Sequence, residues 1–526
     1  MILECFTEYY LWRSGSTHEA YFTYLFSISL MTGHYTRLVW GSLGATGAIR
    51  NSHFRLFCFD IALTIETLKH YRSNMRCSRR LLVYPYHSCR ALSVTAFNSL
   101  SSDNNSTYLP LYEPIEGVER LENYCPGGYH PIKIGDRFRA RYQVVHKLGH
   151  GSYSTTWLAY DEESKKYAAA KVCIADSKLK KEHDVLSTLA KAQFSPIYSA
   201  GKTMIPSILD SFHIHGPNGD HVCYITSPEK TSLCGAKDES WSRLFQLDVA
   251  RALAAQLAIA VGYIHTRGVV HGDLHLGNIL LKRPLKLDHL SIGELYEEYG
   301  TPELERVVRL DGTALPDGVP SHGIFPIWLG EASDKLSLAE AKILLTNFGE
   351  AFLPRKEDIY ESHTPLVLRP PEARFEPTRP LSFPSDIWTL ACSIWEIIGQ
   401  QSLFEGFLAT EDYMTREQVD TLGILPPEWW EKWSARHDKF HENGIPKNRQ
   451  TLRTWADRFE DSIQVPREKR GMHVIEPGEC EAIFSMLRPM LSFRPDDRPT
   501  AKQVLESDWM VKWALPEYYR VDGKSR

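Results

Sequence analysis

The hydrophobic period of this 526-residue chain changes once, and the change dictates its architecture. Before Trp241 the apolar runs are short and strand-like: YQVVHKLG at 142–149, STTWLAYD at 154–161 and KYAAAKVC at 166–173. Short runs of this kind, divided by turns, predict a small antiparallel sheet. From Trp241 onward Val249, Leu253, Leu257, Val261 and Ile264 recur at three- and four-residue spacing, with alanines between. That spacing places them on one buried helix face, which ends near Gly268. Nine of the 13 tryptophans lie after position 300, so the larger core belongs to the second half. No internal repeat is present. The expected class is α+β and bilobal, a small antiparallel β-lobe followed by a larger, mainly α lobe.

Composition excludes several classes. A hydrophobic share of 43% and a charged share of 24% are those of a globular protein, and a net charge of −5 gives no basis for direct nucleic-acid binding. The charge is uneven, +2 over residues 1–120 and −7 over 121–526, so the body favours basic protein substrates. Ten cysteines are scattered with no C-x-x-C pair and no metal-ligand spacing, the pattern of reduced thiols. No run of 18 apolar residues occurs, so neither a spanning helix nor a membrane partner is expected. A monomer is the expected state.

Residues 1–120 show no sustained period of 2 or 3.6 and are expected to be a poorly defined N-terminal region, disordered or targeting. Between Glu66 and Asp103 there is no acidic residue, while Lys69, Arg72, Arg76, Arg79, Arg80 and Arg90 stand among serines. That is the composition of a mitochondrial presequence, and it lies at a chain start only if translation begins at Met75. The alternatives are an unstructured basic linker or a mis-assigned upstream coding region, with the protein in the cytoplasm, the nucleus or both.

Three segments carry chemistry. In Leu148-Gly149-His150-Gly151-Ser152-Tyr153-Ser154-Thr155-Thr156, two glycines one residue apart let the backbone turn tightly and bring N–H groups onto phosphate oxygens. Alone, this is also a plain hairpin turn. Lys171 ends a strand of three alanines, and a lysine on a half-buried strand needs an anion beside it. Glu182 is the candidate side-chain partner, with Val185, Leu186 and Leu189 on the inner face of its helix. The polar octet His271-Gly272-Asp273-Leu274-His275-Leu276-Gly277-Asn278 stands between apolar Val269-Val270 and Ile279-Leu280-Leu281, and Asn347-Phe348-Gly349 follows.

Together these segments resemble the signature set of eukaryotic-like protein kinases, and more closely the SR-protein-kinase-like serine/threonine kinases of fungi. The specific carriers are Tyr124-Cys125-Pro126-Gly127-Gly128-Tyr129-His130-Pro131-Ile132-Lys133-Ile134-Gly135-Asp136, then Arg141-Tyr142, then the stretch from Leu148 to Ala159 with Ser154 in place of a third glycine. The match covers about 120–515. It implies a bilobal protein-kinase-like fold: an N-lobe with its prelude at 121–227, a C-lobe at 228–518 containing a spacer at 282–341, and a tail at 519–526. It also implies ATP and Mg²⁺ as cofactors, and Arg/Ser-rich splicing-type proteins as substrates. On this resemblance Leu148, Gly149, His150, Gly151, Ser152, Tyr153, Ser154 and Thr156 cover the nucleotide, and Lys171, held by Glu182, grips its phosphates. Asp273 accepts the substrate hydroxyl proton, while Asn278 and Asn347 hold metal. Glu372 paired with Arg498, and Asp386 behind the catalytic loop, are structural.

The departures matter as much. Asn347 stands where the family carries an Asp that chelates Mg²⁺. A loss of about 3–4 kcal/mol there lowers the rate roughly 10²–10³-fold, giving a weakened kinase or, alternatively, a nucleotide-binding pseudokinase acting as scaffold. Gly272 replaces the arginine that receives an activation-loop phosphate, so no switch through Tyr360, Ser362 or Thr364 is expected. His275 replaces a lysine, and the octet also resembles small-molecule kinases of the aminoglycoside/choline type, which the Glu372, Arg498 and Asp386 elements disfavour. The insertion at 282–341 is expected to be mostly exposed and partly helical over 292–308. The acids Glu411, Asp412, Glu417, Asp420, Glu428 and Glu431 form either a site for a basic peptide or a solvated helical face.

Overall fold

The computed structural model describes residues 4–12, 21–29, 39–44 and 110–521, apart from 176–179, 192–198, 283–284, 407–408 and 448–452. The chain divides into two units, Met1–Tyr84 and Pro85–Arg526. In the first, β1 (Glu4–Trp12), β2 (Tyr21–Ser29) and β3 (Val39–Gly44) form an antiparallel sheet in that order. No alternation announces these strands. Their Tyr, Phe, Thr and Val content suits extended backbone, which is the signal that periodicity alone passes over. Met75 and the acid-free basic stretch lie outside the described residues.

The second unit opens with a six-stranded antiparallel sheet, ordered β4–β5–β6–β7–β9–β8. Its strands are β4 (Arg137–Phe138), β5 (Tyr142–Gly151), β6 (Ser154–Asp161), β7 (Lys166–Cys173), β8 (Asp210–Gly216) and β9 (Gly219–Thr226). The three strands expected from the sequence are β5, β6 and β7. Register does the positioning: Gly149 faces Thr156, Thr156 faces Lys171 and Lys171 faces Tyr224, a row on one face of the sheet. The other face buries Val144, Trp157, Ala170, Val172, Cys223 and Ile225. Before β8 comes α1 (Lys180–Ala190), which buries Val185, Leu186 and Leu189 and carries Glu182 in its first turn.

The second lobe is built around α2 (Leu247–Thr266), whose five periodic residues from Val249 to Ile264 are all buried. By length and composition this helix could cross a membrane, yet it lies inside the protein core. Gly268, at φ +75°, lets the chain leave it. Among the described cysteines there is no disulfide.

The insertion at 282–341 departs from expectation. After β10 (Ile279–Leu281), α3 (Ile292–Tyr299) begins at a capping box between Ser291 and Glu294 and stops at Gly300, φ +91°. From there β11 (Leu304–Arg306) pairs with β12 (His322–Ile324), so the helix does not reach 308. Nor is the segment mostly exposed. Leu287, Leu295 and Ile327 pack on Val145, Leu158 and Tyr167, while Val307 and Val319 cover Tyr112, Ile115 and Leu121. Among its described residues the insertion has no core of its own, so its scattered apolar residues show no period; they are spaced to meet other segments. Tyr112, Ile115 and Glu119 are buried, so the folded body begins ahead of residue 121.

β13 (Ile343–Leu345) pairs with β10 and returns the chain to the cleft. Beyond it, α4 (Phe383–Ile398) packs on α2 and supplies Asp386 from its first turn. α5 (Glu411–Leu422) settles the question of the acids: they do not share one face. Glu417 and Asp420 point inward and clamp the buried Arg458, with Asp420 Oδ2 3.0 Å from its guanidinium. Asp412 pairs with Arg374 and Glu428 with Arg494. Neither a peptide site nor a solvated face describes the whole set, because Glu428 and Glu431 lie on a separate helix and the spacing of α5 splits its own four acids between inside and outside. α6 (Leu515–Val521) packs on α2, so the body continues past residue 518.

Candidate active site

Pairing of β10 with β13 brings the loop from His271 to Asn278 against the segment starting at Asn347. The octet bends because Gly272 sits at φ +76°, where a Cβ would lie 2.8 Å from the Glu350 carbonyl. A side chain here would be strained and would force the Glu350 carbonyl to shift, so this turn favours glycine over arginine. Asp386, fully buried, holds the turn from behind: its carboxylate accepts from His271 N at 2.7 Å, Gly272 N at 3.0 Å and His265 Nε2 at 2.9 Å. Burial pushes its pKa up, but the hydrogen bond from His265 and the neighbouring charges outweigh this and hold it below the usual carboxylate value.

The histidines are oriented by their neighbours. Asp273 N donates to His271 Nδ1 at 3.3 Å, which leaves the His271 proton on Nε2, 3.0 Å from the Thr346 carbonyl. Burial holds His271 below its usual pKa, so it is neutral. In His275 the hydrogen bonds set the tautomer: Gly277 N donates to Nδ1, so Nε2–H faces Asp273 Oδ2 at 3.6 Å. Burial raises the Asp273 pKa, yet contact with His275, together with His271 and Asn278, brings it below the ordinary value.

The sequence-selected residues meet in one chain of contacts. Asn278 Nδ2 donates to Asp273 Oδ2 at 3.0 Å and to the Asp273 carbonyl at 2.7 Å. Asn347 Nδ2 donates to Asn278 Oδ1 at 3.1 Å, and Lys171 Nζ donates to Asn347 Oδ1 at 3.2 Å. Lys171 also makes both contacts to Glu182, 2.9 and 2.8 Å, and lies 5.5 Å from the Tyr224 ring centre. Glu182 Oε1 in turn accepts from Phe348 N at 3.1 Å, tying α1 to the Asn347 segment. Asn347 adopts φ +66°, a left-handed conformation that asparagine tolerates well. Ser154 and Thr156 share the sheet face of Lys171, with Gly149 in the same row; Leu148 to Gly151 close β5, and Ser152 and Tyr153 form the tip between β5 and β6.

Whether these groups fit a divalent cation is answered by the donors. Asp273 Oδ1 is buried and takes no hydrogen bond, while Asn278 Oδ1 accepts from Asn347 Nδ2 and Asn347 Oδ1 accepts from Lys171. Among the described residues no group of three His, Cys, Asp or Glu side chains could hold a metal alone. A hard cation fits here only when phosphate oxygens complete its shell.

In the second lobe Glu372 and Arg498 form a buried two-pronged pair at 2.8 and 2.7 Å. Thr364 is buried, and its hydroxyl donates to the Gly272 carbonyl at 2.9 Å, whereas Tyr360 is exposed. Sequence reading missed His265, Tyr224 and the structural role of Thr364. Helical spacing buries one side of α2 but does not say that His265 meets a residue 121 positions away.

Comparisons with known proteins agree with this geometry. The protein kinase domain family matches residues 142–296. Protein kinase dsk1 of Schizosaccharomyces pombe is 37% identical over 76% of this chain and 86% of its own length. A serine/threonine protein kinase of Aspergillus fumigatus is 26% identical over 75% and 90%. The serine/threonine-protein kinase SRPK of Physarum polycephalum is 25% identical over 75% and 91%. With this catalytic loop, this lysine–glutamate pair and these relatives, the chain belongs to the SRPK-like serine/threonine protein kinases.

Proposed function

We propose that this kinase transfers the γ-phosphate of ATP to serine hydroxyls in Arg/Ser-rich proteins, at a rate lowered by Asn347. The observation that carries the reading is the unbroken contact path Lys171–Asn347–Asn278–Asp273, in which every step is 3.2 Å or less. Lys171, steadied by Glu182, offers its ammonium to the phosphates. Asp273 keeps Oδ1 free to accept the hydroxyl proton, while Asn278 fixes Oδ2. Asn278 and Asn347 would hold a divalent ion through their carboxamide oxygens, in exchange for the present contacts to Asn347 Nδ2 and Lys171. When bound, that ion neutralises charge on the transferring phosphoryl group. With no covalent step to perform, catalysis rests on positioning and electrostatics.

Asn347 weakens this arrangement because its oxygen is neutral and is already engaged by Lys171. Basic substrates suit the net charge of −7 over residues 121–526. A human relative, 34% identical over 32% of this chain and 30% of its own length, is named SRSF protein kinase 3, and the proposed substrate class follows that name.

The test is phosphate transfer to an Arg/Ser peptide with Mg²⁺ and with Mn²⁺, for the parent and for Asn347→Asp. We expect the parent to be slow and the variant faster by roughly 10²-fold. If neither form transfers phosphate while ATP still binds, the chain is a nucleotide-binding scaffold and the proposal falls.

A further inference from the structure

The tip of the glycine turn is gripped from outside the sheet. Tyr129, in the prelude, donates its hydroxyl to the Gly151 carbonyl at 2.6 Å, with the Ser152 carbonyl 3.3 Å away. Its ring is buried and meets Tyr124 edge-on, centroids 5.4 Å apart. Burial raises its pKa to about 12, so it stays a phenol donor at any working pH.

The backbone around Tyr129 is held on several sides. Its N–H donates to the Asn123 carbonyl at 2.9 Å. Its own carbonyl accepts from Asn218 Nδ2 at 2.7 Å, and that amide also reaches the Gly318 carbonyl of the spacer at 2.7 Å. Gly128 has no space for a side chain, since a Cβ would fall 2.0 Å from the Asn123 carbonyl oxygen. Gly127 N donates to the Asn218 carbonyl, and Ala175 N, just after β7, donates to the Gly128 carbonyl. The Gly-Gly pair of the prelude thus lets the chain pass close to its neighbours and fixes where the next side chain points.

The geometry has a chemical consequence. There is no cis peptide bond among the described residues, and a trans peptide points its N–H opposite to its C=O. Two carbonyls turned toward Tyr129 therefore direct the N–H groups of Ser152 and Tyr153 away from it. Left free, a turn of this kind rotates its peptides and presents carbonyl oxygens as readily as N–H groups, and a carbonyl repels phosphate.

We propose that Tyr129 is a positioning residue for the nucleotide: by engaging the carbonyls of Gly151 and Ser152 it presents the N–H groups of Ser152 and Tyr153 to the phosphates of ATP. The inference rests on the nucleotide-binding reading of the cleft and adds to it the group that orders the turn. Asn218 and Gly318 extend the same support into the spacer, so the insertion contributes to nucleotide binding without touching nucleotide.

The experiment is ATP binding with Mg²⁺ by calorimetry, alongside thermal unfolding, for the full chain, Tyr129→Phe and Tyr124→Phe. Tyr124 lies in the same cluster and donates to Glu119, with no hydrogen bond to the turn among the described residues. Loss of the Tyr129 hydroxyl is expected to weaken ATP binding about fivefold to tenfold. In turnover, KM for ATP rises while KM for peptide is unchanged. Tyr124→Phe is expected to lower the melting temperature and leave ATP affinity as it was. Equal ATP affinity in Tyr129→Phe and the parent overturns the inference alone, and so does equal weakening in both variants, which marks a general softening of the cluster. Failure of the parent to bind ATP removes the functional reading and this inference with it.

Discussion

At the residue scale, Asp273 shows how a buried carboxylate is kept ready. Burial by itself raises its pKa, and the contact with His275 reverses the sign. A carboxylate whose pKa lies below the usual ~3.9 remains a base until the pH falls through that lowered value. The acid limb of kcat/KM for the parent therefore lies below about pH 4, as far as the fold survives. Replacing His275 with Ala removes the largest favourable contact, so the limb moves to higher pH; a profile of the same shape and position in both enzymes speaks against the assignment. Asn347 and Gly272 both hold positive φ, which asparagine and glycine tolerate. Asn347→Asp is therefore a change of charge with little change of backbone, which is why it isolates the electrostatic effect. The identities at 171, 273, 278 and 347 were legible in the sequence because each stands in a short motif. The contacts between Lys171, Asn347 and Asn278 were not, because they join segments up to 176 positions apart.

At the scale of elements, the segment between Asn347 and Glu372 combines two roles that the sequence did not separate. Tyr360, Ser362 and Thr364 are all hydroxyl residues, yet Tyr360 is exposed while Thr364 is buried against the catalytic turn. With glycine at 272 there is no arginine on the turn to receive a phosphate there. Tyr360→Phe with Ser362→Ala is expected to leave kcat within about twofold of the parent, since surface changes away from special contacts are near neutral. Thr364→Val removes one hydrogen bond to the Gly272 carbonyl and is expected to lower kcat severalfold, at about 1 kcal/mol for the lost bond. Steady-state kinetics on the same peptide separates the two outcomes, and a large loss in the Tyr360/Ser362 double variant would restore the case for a phosphorylation switch. A similar division runs through α5: its acidic composition was visible, but which acids face Arg458 follows from how the helix is rotated against its neighbours.

For the whole molecule, the insertion at 282–341 is the largest difference between expectation and structure. It acts as a cover for the first lobe, joining the segment around Tyr112–Glu119 to the outer parts of β5–β7. Behind that cover Lys147 and Glu119 form a fully buried ion pair, and Tyr124 donates to the same carboxylate. Val307 is buried and Leu310, three positions on, is exposed. Val307→Asp places an unpaired carboxylate in an apolar site and is expected to destabilise the first lobe by about 3 kcal/mol or more, whereas Leu310→Asp stays near zero. Thermal unfolding of the two variants distinguishes a packed cover from a solvated excursion; equal melting temperatures would return the insertion to the solvent. What the chain declared by itself is what short-range physics encodes. The change of period gave two lobes, the glycines gave a turn, and a run of polar residues between apolar strands gave a loop with an acid and an amide five positions apart. The partners of those residues were left to tertiary structure: Asp386 and His265 behind the loop, Tyr129 over the turn and the spacer over the sheet. Such contacts are made between surfaces distant in sequence, and no local spacing records which buried faces meet when the chain closes on itself.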